Sequence, residues 1–467
     1  MASSILSVGQ SALAAAQVGI STTGHNIANA STPGYSRQVV IQNTATAQNF
    51  GYGFVGQGTE ISSVKRIYND YLGDQVNSAQ SSYSGLSTYY NQIKQIDNML
   101  GDSSAGLSPV IQDFFKGIND LAANPSAVAS RQATLSSAQA LASSFQSMDG
   151  RFDEIRQGVN QEIAGTVDTI NSYAKQIAEL NATIGKLQGA TGSNVPNDLY
   201  DQRDQLVQDL SKEIKTTVVK QDGGNYSVYI GNGQALVVGT QSYGLTATGK
   251  TGDLQNLEVS YQLGANTVPL AESSLNGGKL GGLFDFRSQI LDPAQKALGN
   301  LAESVTTTFN TQHELGQDLN GIPGGAFFAF DPTKGAKSFS VVITDTSKIA
   351  AGAIGPIAIG DNRNALLLAG LQTSNHAIVG INTDTTFQGA YSQLVSLVGN
   401  KTRELQVTGE SEKQRLSLVV QSQQSVSGVN LDEEASNLLR YQQAYQAAGK
   451  VMQIASDMFD VLLSLGR

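Results

Sequence analysis

The stretch from residue 6 to residue 30, LSVGQSALAAAQVGISTTGHNIANA, repeats a large apolar side chain every seven positions. A small residue follows each large one three positions later. The large positions are Leu6, Leu13, Ile20 and Ile27, and the small ones are Gly9, Ala16, Thr23 and Ala30. Alternating steps of three and four along one helix face are typical of coiled coils. The pattern predicts an N-terminal amphipathic helix whose seam packs against a partner helix.

The C-terminal end carries a second repeat of the same length. Its apolar positions are Leu431, Leu438, Tyr445, Met452 and Phe459. Two surface helices of a globular domain would be the ordinary interpretation. However, residues 1–36 contain no Lys, Arg, Asp or Glu, whereas an isolated soluble helix usually has a charged outer face. We therefore predict that the two ends close on each other as a coiled coil and form an assembly interface with other protein.

Composition narrows the class of protein. The 467 residues are long enough for two to four domains, and a net charge of -10 without a basic stripe argues against nucleic-acid binding. The sequence has no Cys, which excludes disulfides and thiolate metal sites. The N-terminus has no basic region before an apolar core, and no apolar run is long enough to span a bilayer. We expect any export to use a route without a cleaved signal.

Helical periodicity dominates the middle of the chain. It predicts helices over 70–100, over 197–212 and from Pro293 to Glu314, with Ser108 as an N-cap after a polar break at 102–108. The longest pattern runs from Arg131 to Leu187 and would form a rod of about 85 Å. Its three glycines, at 150, 158 and 165, are positions where the rod could bend or break.

Strand-like patterning interrupts the helices twice, over 214–283 and again at about 327–358. The order predicts an α+β multidomain fold with a terminal α-helical coiled coil, an elongated mainly helical domain and an inserted β-rich lobe. The expected boundaries are 1–40 plus 427–467 for the coiled coil, 41–213 plus 284–322 and 361–426 for the helical domain, and 214–283 and 323–360 for the β-rich lobe.

The residues suggest no catalytic or metal site. His313-Glu314 resembles the start of a zinc-protease motif, but Gln317 stands where its second His is needed. Gly51, Gly53 and Gly56 match G-x-G-x-x-G, yet the following residues favour a strand or loop rather than a phosphate-binding helix. The cluster Asp201, Arg203 and Asp204 is best interpreted as an ion-pair group near a helix start. We expect no enzyme activity and no cofactor.

Several motifs nevertheless resemble a known family. The stretch Asn26-Ile27-Ala28-Asn29 with 32–38, TPGYSRQ, is similar to the N-terminal signature of flagellar rod, hook and hook-associated proteins, and 425–448 resembles their C-terminus. The stretches 197–204 and 310–328 narrow the resemblance to the FlgK family of hook-associated proteins. The signature residues are Asn29, Pro33, Gly34, Tyr35, Arg37, Asp201, Arg203 and Asp204.

The resemblance implies a structural protein of the hook-filament junction. It implies synthesis in the cytoplasm, export by the flagellar type III apparatus and assembly outside the cell as a ring-like homo-oligomer. The implied partners are the hook protein, the next hook-associated protein toward the filament and an export chaperone on the C-terminal helix. The alternatives are a third hook-associated protein or filament subunit and, less favoured, a secreted enzyme carried on flagellar ends.

Overall fold

The computed structural model describes residues 2–49, 51, 53–102, 106–191, 196–221, 224–264 and 266–465. Helices account for most of this chain. They are α1 (Ala2–Asn29), α2 (Asp70–Gly101), α3 (Leu107–Ala123), α4 (Val128–Thr191), α5 (Asn197–Glu213), α6 (Gly278–Phe286), α7 (Asp292–Glu314), α8 (Arg363–Gly370), α9 (Phe387–Ser427) and α10 (Leu431–Leu465). Among the described helices, none combines the length and hydrophobicity needed to cross a membrane.

The strands form small antiparallel sheets. They are β1 (Gln38–Thr44), β2 (Gln48–Asn49), β3 (Phe54–Val55), β4 (Thr59–Arg66), β5 (Thr216–Lys220), β6 (Tyr226–Ile230), β7 (Gln234–Val238), β8 (Gln241–Ser242), β9 (Leu245–Lys250), β10 (Asp253–Leu263), β11 (Asn266–Pro269), β12 (Gly316–Gln317), β13 (Phe328–Ala329), β14 (Ser340–Val341) and β15 (Gly352–Ala353). Strands β5 to β8 pair in sequence order, and β10 lies between β9 and β11. The mixed architecture confirms the predicted α+β multidomain class.

Helix α4 is the longest element, and its 64 residues extend about 96 Å at ~1.5 Å per residue. The predicted breaks at Gly150, Gly158 and Gly165 do not occur. All three glycines lie on the exposed side of the helix, and each costs only about 1 kcal/mol relative to Ala. The opposite side is buried along the whole rod, from Leu135 through Ile163 to Ile184. Burial of this apolar stripe outweighs the poor local propensity.

Two other local predictions need correction. Helix α3 begins at Leu107 with Gly106 as its N-cap, so Ser108 is already inside the helix, and residues 103–105 of the predicted polar break lie outside the described residues. The second predicted β-rich stretch contains only the two-residue strands β13, β14 and β15 and short 3-10 turns. Its branched and aromatic residues fill the core instead, as Phe327, Phe339 and Ile349 do.

Three asparagines attach the inserted sheets to α4. Asn171 donates to the carbonyl of Leu245 and accepts from its amide, both at 2.8 Å, as a neighbouring strand would. Asn160 makes the same kind of pair with the β10 backbone at 255 and 257. Asn181 accepts from the Tyr226 amide and donates to the carbonyls of Tyr226 and Gly239. Because the spacings of 11 and 10 residues are close to three turns, all three amides share one face.

At the other end of α4, a buried histidine organises the loops that follow α7. His313 Nδ1 lies 2.8 Å from the Gly325 carbonyl, and Nε2 accepts from the Ala350 amide at 2.9 Å. This arrangement requires the neutral ring with its proton on Nδ1. Burial is the main cause of the lowered pKa of His313. The histidine is therefore a structural crosslink, in keeping with the absence of a second ligand at Gln317.

We predict that Asn181→Ala destabilises the fold by on the order of 3–5 kcal/mol, because it removes the bonds to the Tyr226 and Gly239 backbone and one of the acceptors of the Arg203 guanidinium. Urea unfolding followed by far-UV circular dichroism measures the change. Asn91→Ala on the exposed side of α2 is the matched control and should shift the free energy of unfolding by less than about 0.5 kcal/mol. Equal effects of the two variants would contradict the role of Asn181.

A second prediction concerns pH. The folded-state pKa of His313 lies below the unfolded value of about 6.5, so its stabilisation is complete above that pH and is lost as the pH falls. His313→Gln should cost about 2 kcal/mol near neutral pH, and this difference from the wild type should shrink as the pH falls. Parallel urea titrations across that range measure it. A difference that stays constant or widens would contradict the assignment.

Candidate assembly site

Helices α1 and α10 pack antiparallel and very closely. A Cβ added at Gly19 would lie 2.5 Å from the Tyr441 ring, and one at Gly9 would lie 2.9 Å from the Met452 side chain. Both approaches are shorter than van der Waals contact. A side chain at either position would force Met452 or Tyr441 to move, so glycine at both positions allows the helices to keep this distance.

The buried stripe of α1 consists of its small residues. Gly9, Ala16 and Thr23 are buried against α10. The large seam residues Leu6, Leu13 and Ile20 are only half-buried, and Ile27 is 36% exposed. The two ends do pack together, but the predicted large positions lie beside the contact rather than at its centre. Small side chains occupy the centre because the backbones approach so closely.

On helix α10, as on α1, the predicted large seam positions are not at the centre of the contact. Leu438 and Met452 are half-buried at the contact with α1, whereas Leu431, Tyr445 and Phe459 are 55%, 45% and 48% exposed. The exposed large apolar residues of α10 also include Leu439, Val451, Ile454, Met458, Val461 and Leu463. We call these nine residues, which are distributed around much of the circumference of the helix, the outer face of α10. In the single chain this apolar surface is only partly covered.

At the start of α10, an ion-pair cluster joins the two ends of the chain. Arg37 Nε donates to Glu434 Oε1 at 2.8 Å, and its two terminal nitrogens donate to the Glu433 carboxylate at 2.6 and 3.0 Å. Glu434 is only 2% exposed. Burial alone would lower the pKa of Arg37, but the two glutamates outweigh it and raise that pKa. Arg37 therefore remains charged, as bidentate pairing requires.

Asn26 shares the same buried carboxylate. Its amide nitrogen donates to Glu434 Oε2 at 3.0 Å and to the Gln38 carbonyl at 2.8 Å. Its amide oxygen accepts from the Gln38 amide and from the Tyr35 hydroxyl. One side chain thus connects α1, the first residue of β1 and the N-terminus of α10. The N-cap of α10 is Asn430, whose side chain accepts from the amides of Asp432 and Glu433.

Helix α5 holds the same segment from the body side. Asp201 accepts from the Ser36 amide at 3.0 Å and from Arg66 at 2.8 Å, and Arg66 also lies 2.7 Å from Asp204. Burial is the largest influence on Asp201 and raises its pKa, although the bonds from Ser36 and Arg66 oppose the rise. For Arg66, the two aspartates outweigh burial and raise the pKa. We call Asn26, Arg37, Arg66, Asp201 and Glu434 the polar node.

Arg203 points away from the polar node into the β-sheet. Its guanidinium lies over the Tyr226 ring, 3.4 Å from the centroid, and donates to Asn181 and to the Gly224 carbonyl at 2.8 Å. Burial is the first cause of its lowered pKa. The predicted cluster on α5 therefore divides, because Asp201 and Asp204 pair with Arg66 while Arg203 connects α5 to the inserted sheet.

The remaining signature residues shape the turn after α1. Gly34 has φ of +78°, a conformation that favours glycine, and a Cβ there would lie 2.6 Å from Gln205 Oε1, so that side chain would have to move. Asn29 donates to the His25 carbonyl and accepts from Thr32. Pro33 is exposed. The turn brings Tyr35 and Arg37 back against the base of α1.

The polar node contains two residues that sequence reasoning did not assign. Arg66 lies in β4 and belongs to no motif, and Glu434 belongs to the predicted pattern only as part of the 425–448 resemblance. No periodicity could reveal the Arg37 and Glu434 pair, whose members are 397 positions apart. In the part of the chain that the structure describes, no group of three or more His, Asp or Glu side chains could hold a metal ion.

Comparisons with known proteins identify the family. A family profile described as "Flagellar hook-associated protein FlgK helical domain" matches residues 93–328. Profiles for "Flagellar basal body rod FlgEFG protein C-terminal" and "Flagella basal body rod protein" match residues 420–465 and 6–35. These last two ranges contain α10 and most of α1.

Relatives align along their full length. Flagellar hook-associated protein 1 of Escherichia coli is 33% identical over 99% of this chain and 100% of its own, and that of Bacillus subtilis is 27% identical over 98% and 97%. The flagellar hook junction protein FlgK from Burkholderia pseudomallei has a similar structure, with a TM-score of 0.69 and 25% identity over 76% of this chain and 100% of its own. The chain belongs to the FlgK family of flagellar hook-associated proteins, which are structural proteins and not enzymes.

Proposed function

We propose that this protein forms the junction between hook and filament of the bacterial flagellum. Its copies assemble into a ring-like homo-oligomer that contacts the hook protein on one side and the next hook-associated protein on the other. The relatives named above support this assignment. A third hook-associated protein or a filament subunit is disfavoured because the profile at 93–328 is specific to FlgK.

The outer face of α10 is the observation that carries the proposal. Its nine large apolar residues are each at least 39% exposed in the single chain. An apolar surface of this extent marks a protein interaction site. Neighbouring copies would cover it, with α1 and α10 forming the inner wall of the assembly. The predicted interface residues Leu6, Leu13, Ile20, Ile27, Leu431, Leu438, Tyr445, Met452 and Phe459 belong to this proposed contact.

The domain boundaries are part of the same proposal. The terminal unit, 1–40 plus 427–467, contains α1, the start of β1 and α10. The helical domain, 41–213 plus 284–322 and 361–426, contains α4 as its main strut. The lobe ranges 214–283 and 323–360 would form the outer part of the molecule. The Asn160, Asn171 and Asn181 bonds would keep the first lobe range rigid against α4.

Export by the flagellar type III apparatus fits the same features. A chain without Cys can pass through a narrow channel unfolded and refold without disulfide chemistry. After synthesis in the cytoplasm it would be secreted to the growing flagellum. An export chaperone on α10 would cover the outer face before assembly. This accounts for an apolar helix that would otherwise promote aggregation.

We predict that Glu434→Ala releases the terminal helices from the body, because it leaves Arg37 and Asn26 with unpaired buried donors. Amide exchange should become at least about tenfold faster across 2–29 and 431–465, which corresponds to ~1.4 kcal/mol, while α4 keeps its protection. Glu433→Ala removes the exposed partner of Arg37 and should cost less than about 1 kcal/mol. Equal exchange in both variants would show that the polar node does not hold the ends.

We further predict that Ile454→Asp, on the outer face of α10, abolishes filament attachment. The position is 54% exposed, so the isolated protein should keep its thermal stability, whereas a charge buried between copies costs several kcal/mol per contact. Electron microscopy and swimming assays measure attachment. Ile454→Leu is the matched control and should form normal filaments. Filaments in the Asp variant would remove the outer face from the assembly interface.

A further inference from the structure

The hairpin between α1 and α2 ends in an exposed aromatic residue. Strands β1 and β4 pair along the hairpin, and β2 and β3 continue it, with Asn49 opposite Phe54. Phe54 is 76% exposed and Val55 is 37% exposed. Residues 38–59 include no charged side chain. The distal part of the hairpin is thus an uncharged projection with a phenyl group on its surface.

The hairpin runs along α1, which fixes how far Phe54 lies from the polar node. At the base, Asn26 binds the backbone of Gln38. Farther along, the Thr59 amide donates to Ser11 Oγ. Ser11 and Asn26 are 15 positions apart, which is about 22 Å of helix at ~1.5 Å per residue. Strands β2 and β3 continue the hairpin past Thr59, in the direction away from its base. Phe54, in β3, is therefore far from the base of its own hairpin.

A cleft of about 690 Å³ opens at that base, between the end of α1, α4 and α5. Half-buried Leu180 and Leu206 contribute apolar surface. His25 and Tyr35 form an edge-to-face aromatic pair on another side, with ring centroids 5.5 Å apart. Aliphatic and aromatic side chains in this arrangement suit one further aromatic ring, which prefers edge-to-face or offset contacts at similar distances.

We propose that Phe54 of one copy inserts into this cleft on a second copy of the chain. The projection and the cleft lie on the same molecule but are too far apart along α1 to meet within it. Copies displaced along the α1 direction would bring each projection to the next cleft. This is a heterologous contact, which repeats from copy to copy around a ring or along a helix. The entering hairpin carries no charge of its own that must lose hydration, although the carboxylates of Glu179, Asp198 and Asp201 also line the cleft.

The inference rests on the proposed assembly of identical copies and identifies one contact within it. It explains why an uncharged hairpin exposes an aromatic ring, a residue type that is costly to leave in water and enriched at interfaces. The cleft also lies against the polar node, since Tyr35 and Asp201 line it. Insertion of Phe54 would therefore press on the segment that joins α1 to the body.

Because the chain contains no Cys, paired single cysteines can test the contact. The first pair is Asn49→Cys, beside Phe54, with Gln202→Cys, an exposed position lining the cleft. Flagella from cells carrying only this variant are treated with a short bis-maleimide. We expect a ladder of covalent multimers of this chain at least tenfold above either single-cysteine variant. Val55→Cys with Gln176→Cys provides a second pair if the first does not assemble.

Phe54→Ala in the paired-cysteine background should abolish the ladder, and Phe54→Leu should retain it. Tyr71→Ala removes an aromatic side chain that is 69% exposed elsewhere and should leave the ladder unchanged. Filament attachment is scored in every strain. Normal filaments without multimers would overturn the Phe54 contact and leave the junction function standing. Multimers that persist in Phe54→Ala would also overturn it.

Discussion

The structure depends on one buried carboxylate. Glu434 opens α10, yet its two oxygens accept from Arg37 and Asn26 near the other end of the chain. Through Asn26 the same group reaches the backbone of β1, and through Ser36 and Asp201 the segment is held to α5. A buried charge is tolerated only when it is paired and hydrogen-bonded. The two ends and the body must therefore be in register before Glu434 can be buried.

Polar contacts are well suited to fixing the register between the two ends of the chain and the body. An apolar contact tolerates sliding by a residue or a turn, whereas a bidentate guanidinium pair and an amide bonded on both sides allow one arrangement. The α1 side of the contact with α10 consists of small residues, and the large side chains of Tyr441 and Met452 pack against two of them. Close packing of Gly19 on Tyr441 sets the distance between the helices, and the polar node sets their position along the axis and relative to α5.

Sequence periodicity predicted the elements that are stabilised by apolar burial. Helices α2, α4 and α7 lie where the apolar steps indicated, because each buries an apolar stripe. Helix α5 is also present where it was predicted, although its buried residues include the polar Asn197, Asp201 and Arg203. Periodicity is a weaker guide to structure where forces other than apolar burial decide the outcome. Small residues replaced large ones at the centre of the α1 seam because the backbones approach closely. The second stretch that was predicted to be β-rich consists mainly of loops, because Phe327 and Phe339 are buried in the helical core rather than in a sheet. The polar node could not be predicted from the sequence, because pairs such as Arg66 and Asp201 produce no periodic pattern.

Polar and apolar side chains have different roles in this molecule. Polar contacts hold the single chain together, whereas apolar side chains form the surface that is available to neighbours. Inside the body, Asn160, Asn171 and Asn181 occupy one face of α4 and replace strand partners for the inserted sheets, so the long helix carries them rigidly. At the ends, the buried polar groups of Asn26, Arg37 and Glu434 are paired within the chain, while large apolar side chains on α10 remain partly exposed. Satisfying polar groups internally and leaving apolar ones exposed makes association depend on surface burial, which is non-directional. In the proposed assembly, register between copies would then come from shape, and the polar node, which bonds α1 and α10 to the body, would help to fix that shape.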